Sequence, residues 1–92
     1  MDISNQLEEL RLVINHLDET IVSSVARRHQ ISSIIGRLKE QSQLPIYDKQ
    51  REAELKDYHR QLSDKYELDN AMINQIFELI ISQSRQIQGD KV

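Results

Sequence analysis

Apolar residues in the first part of the chain fall at Leu7, Leu10, Ile14, Leu17 and Ile21. These alternating steps of three and four form the seam of a heptad pattern. The same register continues through Ser24, Arg28, Ile31, Ile35 and Leu38. The spacing therefore predicts one long helix to about residue 40, with polar interruptions at Ser24 and Arg28. Asp2 or Ser4 can cap its start. The polar run Gln41-Ser42-Gln43, followed by Pro45, ends it. A second helix is expected from Asp48, a good N-cap, with Ala53, Leu55, Tyr58 and Leu62 as its weakly apolar side and an end blurred around Ser63-Asp64-Lys65. A third is expected from Asp69, again a capping residue. Met72, Ile73, Ile76, Phe77, Ile80, Ile81, Ser84 and Ile87 follow at helical spacing, and Gly89 is a natural stop.

The length of the first helix has a geometric consequence. About 36 residues at 1.5 Å each give roughly 54 Å. A compact chain of this size has a radius of gyration of roughly 12 Å and a diameter near 32 Å. The helix should overshoot such a globule by about 20 Å, and its seam is apolar at both ends. The simplest cover is the same helix of a second copy. The alternative is a helix broken near Ser23-Ser24 and folded back into a monomeric bundle, but neither Gly nor Pro stands there. Gly36 costs about 1 kcal/mol against Ala, which weakens a helix without breaking it. The expected architecture is all-α: a single domain over residues 1–92, with three helices, a long first one, and an intertwined helical homodimer.

Composition narrows the function classes. Ninety-two residues make a small core that needs regular packing, a staple or a partner. The chain has no cysteine, which excludes disulfides, thiolate metal sites and a cysteine nucleophile. His16, His29 and His59 are scattered and lack zinc-type spacing. Two glycines and one proline leave little turn material for a many-stranded fold. No apolar stretch approaches a membrane span, and the N-terminus lacks a secretory pattern. Twelve Lys and Arg against fifteen Asp and Glu give a net charge of −3, a poor balance for binding nucleic acid. The expectation is a soluble, oligomeric protein of a reducing compartment, with no metal, nucleic-acid or membrane partner. Met1 and the charged tail Gly89-Asp90-Lys91-Val92 read as the natural ends of a stand-alone chain.

Several polar groups stand where an apolar residue is expected. Arg28 occupies the seam, which is costly unless the charge is paired or holds a ligand. Lys39 follows eleven residues later, within about 20° of the same helical face and about 16 Å along the axis. Ser84 lies on the stripe of Ile73, Phe77 and Ile80, with Gln88 one turn beyond. Arg51 and Glu52 follow the Asp48 cap. Arg11 is about 25 Å from Arg28 and about 100° around the helix, so it joins a site with Arg28 only from an antiparallel partner chain. Each residue alone has an ordinary alternative. Arg28 can set coiled-coil register, Lys39 can be a solvated helix-end lysine, and Arg51-Glu52 can be surface pairing. Ser84 and Gln88 can be helix–helix hydrogen-bonding groups. Together, inward-facing cations and neutral donors in an acidic chain favour a small polyanionic ligand.

The same residues carry a family resemblance. The sequence resembles the all-helical (AroQ-class) chorismate mutases over about residues 6–88. The pattern runs Leu7-x-x-Leu10-Arg11-x-x-Ile14-x-x-Leu17-Asp18, Ala26-x-Arg28 and Ile35-Gly36-x-x-Lys39. It continues with Leu44-Pro45-Ile46-Tyr47-Asp48-x-x-Arg51-Glu52 and Ile76-Phe77-x-x-Ile80-Ile81-x-x-Ser84-x-x-x-Gln88. Each block is weak alone; the ordered set is specific. Arg27 is a departure, since relatives often carry an acidic residue there.

The resemblance implies a cytoplasmic isomerase of the shikimate pathway and aromatic amino acid biosynthesis. It would convert chorismate to prephenate by an intramolecular [3,3] rearrangement, without a cofactor. It implies that Lys39 and Gln88 donate to the ether oxygen. Arg28, with Arg11 from the other subunit, would hold the carboxylates, assisted by Ser84 and Arg51. Glu52 and the backbone around Asp48 would receive the substrate hydroxyl, and Ile35, Leu55 and Ile81 would form an apolar wall. This chemistry suits a chain with no evident nucleophile or metal site, because it needs orientation and charge stabilisation alone. An isochorismate-pyruvate lyase is the nearest rival, disfavoured by Glu52 in the hydroxyl-binding place. A non-catalytic helical regulatory or interaction module is another; it would have no need of Gln88 opposite Lys39. A mutase domain cut from a longer fusion is a third.

Overall fold

The computed structural model describes residues 2–89. Met1, Asp90, Lys91 and Val92, part of the termini read above as natural ends, lie outside the described residues. Three helices account for the elements among those described: α1 (Ile3–Gln41), α2 (Lys49–Lys65) and α3 (Asn70–Gln88). The expected all-α class and helix order are observed.

The helix ends follow the side chains that cap them. Asp2 accepts a 2.8 Å hydrogen bond from the Asn5 amide at the start of α1. Asp48 accepts from the Arg51 amide at 3.0 Å, and Asp69 from the Ala71 amide at 3.2 Å. Each satisfies a backbone donor that the first helical turn leaves without a partner. Gly89 closes α3 in the left-handed region at φ 112°, where a Cβ would be strained.

The ends of α1 and α2 use left-handed residues that are not glycine. Gln43 has φ 56° and Glu67 has φ 55°. Leu44 N donates to Lys39 O at 2.8 Å and Gln43 N to Glu40 O at 3.2 Å. After α2, Leu68 N donates to Ser63 O at 2.9 Å and Glu67 N to Asp64 O at 3.2 Å. Both are paired 6→1 and 5→2 closures of the Schellman kind. The first turns the chain at Gln43 so that Ile46 and Tyr47 precede α2.

α1 is unbroken through Ser23-Ser24 and contains 39 residues. Two hydroxyls near this point bond to the helix itself: Ser23 Oγ donates to Thr20 O and Thr20 Oγ1 to His16 O, each at 3.1 Å. The chain divides into two compact units, residues 1–30 and 31–92. In the first, the seam residues Leu7, Leu10, Ile14, Leu17 and Ile21 are 45–62% exposed; Val25, Arg28 and His29 are half-buried.

In the second unit, α2 and α3 pack together. Their interface is centred on His59, whose ring stacks on Phe77 with centroids 3.7 Å apart and planes 14° apart. The packed side of α2 runs through Glu52, Leu55, His59, Leu62 and Ser63, while Ala53 and Tyr58 are exposed. The apolar side expected from Ala53, Leu55, Tyr58 and Leu62 is thus rotated toward His59. On α3, Ile73, Phe77, Ile80, Ile81 and Ile87 are half-buried and Ser84 is buried. Among the described residues no apolar side chain is buried; the buried polar ones are Ser32, His59, Ser63 and Ser84.

Candidate active site

Lys39 is placed by the last turn of α1 and is half-buried. Its ammonium donates to Ile46 O at 2.8 Å and to Gln88 Oε1 at 3.1 Å. The second bond joins residues 49 positions apart in sequence, so it ties the end of α1 to the end of α3. An ammonium can only donate, so the Gln88 atom facing it must be the amide oxygen. The amide NH2 then has to point elsewhere. One N–H of Lys39 and the NH2 of Gln88 remain available to an incoming acceptor. Donors of this kind can stabilise negative charge that develops on an oxygen within their reach.

Gly36 makes this approach possible. It is buried, and a Cβ there would lie 2.8 Å from Gln88 Cα and 2.9 Å from Gln88 O. These are backbone atoms, so relief requires the two segments to separate. Gly36→Ala should therefore oppose two effects. Helix propensity favours Ala by about 1 kcal/mol, while overpacking costs about 1–3 kcal/mol. The expected result is slightly lowered thermal stability with kcat reduced about 100-fold, because a displacement near 1 Å suffices for that loss. Thermal unfolding and steady-state kinetics on the same sample check it.

The other expected residues are distributed unevenly. Ser84 is buried, and its hydroxyl donates to Ile80 O at 2.9 Å. Glu52 is half-buried, and its Oε2 lies 3.7 Å from Arg85 Nε. Arg85, in turn, has its guanidinium 5.6 Å from the centre of the Tyr47 ring. Glu52, Ile81, Tyr47 and Arg85 help line a cavity of about 550 Å³ with residues of α2 and α3. Leu55 is half-buried and Ile35 is 38% exposed. Arg51 is exposed and sits 3.6 Å from Glu54. Asp48 is engaged as the α2 cap. Arg28 and Arg11 belong to the first unit. Arg28 is half-buried. Arg11 is exposed and pairs with Glu8 at 3.1 Å. The second unit therefore brings together Lys39, Gln88 and the carbonyl of Ile46, and separately Glu52 with Arg85.

Two participants were not legible in the spacing. The Ile46 carbonyl has no side-chain signal at all. Arg85 follows Ser84 directly, and nothing in the sequence indicates its pairing with Glu52. The described residues hold no group of three or more His, Asp or Glu able to hold a metal ion, and no helix long and apolar enough to cross a membrane.

Comparison with known proteins gives one answer. Residues 10–89 match the family profile described as chorismate mutase type II. The chain is 28% identical over 83 residues to a chorismate mutase of Methanocaldococcus jannaschii, covering 90% of this chain and 84% of that protein. It is 33% identical over 84 residues to the bifunctional chorismate mutase/prephenate dehydratase of Escherichia coli (strain K12), covering 91% of this chain and 22% of that protein. A solved structure from Pyrococcus furiosus, described as a conserved hypothetical protein, superposes with a TM-score of 0.67 at 28% identity, covering 90% of this chain and 95% of that one. With the profile spanning most of the sequence and the fold shared, the chain belongs to the type II chorismate mutase family, isomerases acting on chorismate.

Proposed function

We propose that the chain converts chorismate to prephenate in a site completed by a second copy of itself. Chorismate carries two carboxylates, a ring hydroxyl and an ether bridge. In the rearrangement the C–O bond of that bridge breaks ahead of C–C bond formation, and negative charge gathers on the ether oxygen. Lys39 and Gln88 donate to that oxygen. Arg28, and Arg11 of the second copy, hold the carboxylates, because a planar guanidinium matches a carboxylate with two parallel bonds. Arg51 and Ser84 assist. Glu52 and the backbone around Asp48 receive the ring hydroxyl, and Ile35, Leu55 and Ile81 form the apolar wall that favours the compact reactive conformer. No proton transfer or covalent intermediate is needed. The reading treats residues 1–92 as one domain of a cytoplasmic homodimer with no nucleic-acid or membrane partner.

The observation that supports this most is the 3.1 Å contact between Lys39 Nζ and Gln88 Oε1. It sets two donor-bearing side chains side by side, which a non-catalytic interaction module would not require; the lyase reading is disfavoured by Glu52 in the hydroxyl-binding place. The second copy is supported by the exposed seam of α1 and the lack of a buried apolar side chain among the described residues. Covering such a surface is the main driving force for association of helices.

Gln88→Glu tests the donor role. An amide donates at any pH. The substituted carboxyl donates only when protonated, and an ordinary glutamate protonates near pH 4.3. At neutral pH the substituted side chain is anionic beside the developing charge and also neutralises the Lys39 ammonium. Activity at pH 7 is expected to fall about 100- to 1,000-fold, the scale of losing one such donor. It should recover as pH drops toward 5. A pH profile of kcat/KM parallel to that of the unmodified protein would remove Gln88 from contact with the ether oxygen.

A further inference from the structure

The Glu52–Arg85–Tyr47 cluster goes beyond the residues assigned so far. Three segments meet in it: the stretch before α2 through Tyr47, the first turn of α2 through Glu52, and the last turn of α3 through Arg85. Arg85 Nε stands 3.7 Å from Glu52 Oε2, beyond hydrogen-bond range but within that of an ion pair. The guanidinium also lies 5.6 Å from the Tyr47 ring centre, within the range of a cation–π contact. The side chains of Arg85 and Glu52 are 34% and 27% exposed, so both are sheltered relative to the surface pairs of this chain. Arg11–Glu8 and Arg60–Asp57 involve side chains 56–68% exposed and link residues three apart on one helix. Arg85 and Glu52, by contrast, come from different helices.

We infer that Arg85 is a positioning residue that acts through Glu52 to set recognition of the substrate hydroxyl. This rests on the reading of Glu52 given above. A carboxylate on a short flexible stem can rotate away from a hydroxyl donor. A cation fixed on one oxygen restricts that rotation and leaves Oε1 to accept from the substrate. The Tyr47 face holds the guanidinium while it does so. The hydroxyl stands on the ring carbon next to the one that loses the ether oxygen, but no bond to it is made or broken in the rearrangement, so a contact that only anchors it acts on ground and transition states alike. An interaction of that kind shows in KM rather than in kcat.

The test is a double-mutant cycle with Arg85→Ala and Glu52→Gln, assayed on chorismate and on an analogue whose ring hydroxyl is methylated. Arg85→Ala alone is expected to raise KM for chorismate about tenfold with kcat nearly unchanged, and to narrow the preference for chorismate over the methyl ether. In the Glu52→Gln background the same substitution should do nothing further. Arg85→Lys keeps a cation opposite Glu52 and should recover most of the loss, which also guards against a failure of the alanine variant to fold. A purely structural role predicts no change in hydroxyl preference. Equal, additive losses from Arg85→Ala in both backgrounds would overturn the inference while leaving the role of Glu52 intact. If Glu52→Gln alone leaves both KM and hydroxyl preference unchanged, the reading of Glu52 fails, and the inference with it.

Discussion

Replacing Lys39 with alanine is expected to lower kcat at saturating chorismate by about 1,000-fold or more, with KM changed far less. The asymmetry follows from when the charge appears. The ether oxygen of bound chorismate is a weak acceptor; it becomes a strong one only as the C–O bond breaks. A donor aimed at that atom therefore stabilises the transition state more than the ground state. A neutral donor in such a position is worth about 100- to 1,000-fold, and an ionised donor makes a bond about twice as strong. Lys39 is also held in place before substrate arrives, by Ile46 O at 2.8 Å and Gln88 Oε1 at 3.1 Å, so little reorganisation is left to the reaction itself. Alanine is the best helix former, so the end of α1 should persist in the variant. Circular dichroism separates this chemical loss from unfolding, and the loss of chorismate absorbance gives kcat. A variant that retains helix and more than a tenth of native kcat would contradict the assignment.

The second large effect is expected at a residue that looks dispensable. Arg11 is exposed and paired only locally with Glu8, side chains 68% exposed on both sides. Such a pair contributes less than about 1 kcal/mol to stability, so Arg11→Ala should leave the melting temperature nearly unchanged. Its effect on catalysis is expected to be much larger, with kcat/KM falling about 100- to 1,000-fold. That is the scale of leaving one partner of a desolvated charge pair unmatched. A mismatch between a negligible stability change and a severe kinetic loss is what the proposed role of Arg11, serving a site in another copy of the chain, predicts. An Arg11→Ala variant with native kinetics would mean that the substrate carboxylates are held without it.

Much of the fold was legible because it depends on local chemistry. Asp48 and Asp69 mark helix starts through their side-chain oxygens, and Gly89 marks a stop through its freedom at positive φ. The seam from Leu7 to Leu38 gave the length of α1. The left-handed turns at Gln43 and Glu67 were not legible, because residues with a Cβ rarely adopt that conformation and nothing local singles these two out. Contacts between helices were also hidden. Periodicity defines a face on one helix, but not the rotation at which that face meets another. The centre of the α2 face therefore fell on His59 against Phe77 rather than near Tyr58.

The same distinction applies to the site. Lys39 and Gln88 were identifiable as polar groups on inward faces, and their meeting depends on Gly36, whose missing Cβ lets α3 come close. Arg85 was not identifiable, because its partner Glu52 lies on another helix and shares no spacing rule with it. The seam of α1, read as a surface awaiting cover, remains 45–62% exposed at Leu7, Leu10, Ile14, Leu17 and Ile21. A core that one copy leaves open is a physical reason to expect two.

The central claim is that each site draws Lys39 from one chain and Arg11 from another. It is tested most directly by mixing chains that carry Arg11→Ala with chains that carry Lys39→Ala, unfolding them together and refolding. Random pairing makes half of the dimers mixed. Each mixed dimer has one site with both residues intact and one with neither, so about one quarter of native activity should return, from two parents that are each nearly inactive. Activity no higher than the average of the two parents, in a refolded sample shown to be dimeric, would contradict the shared site.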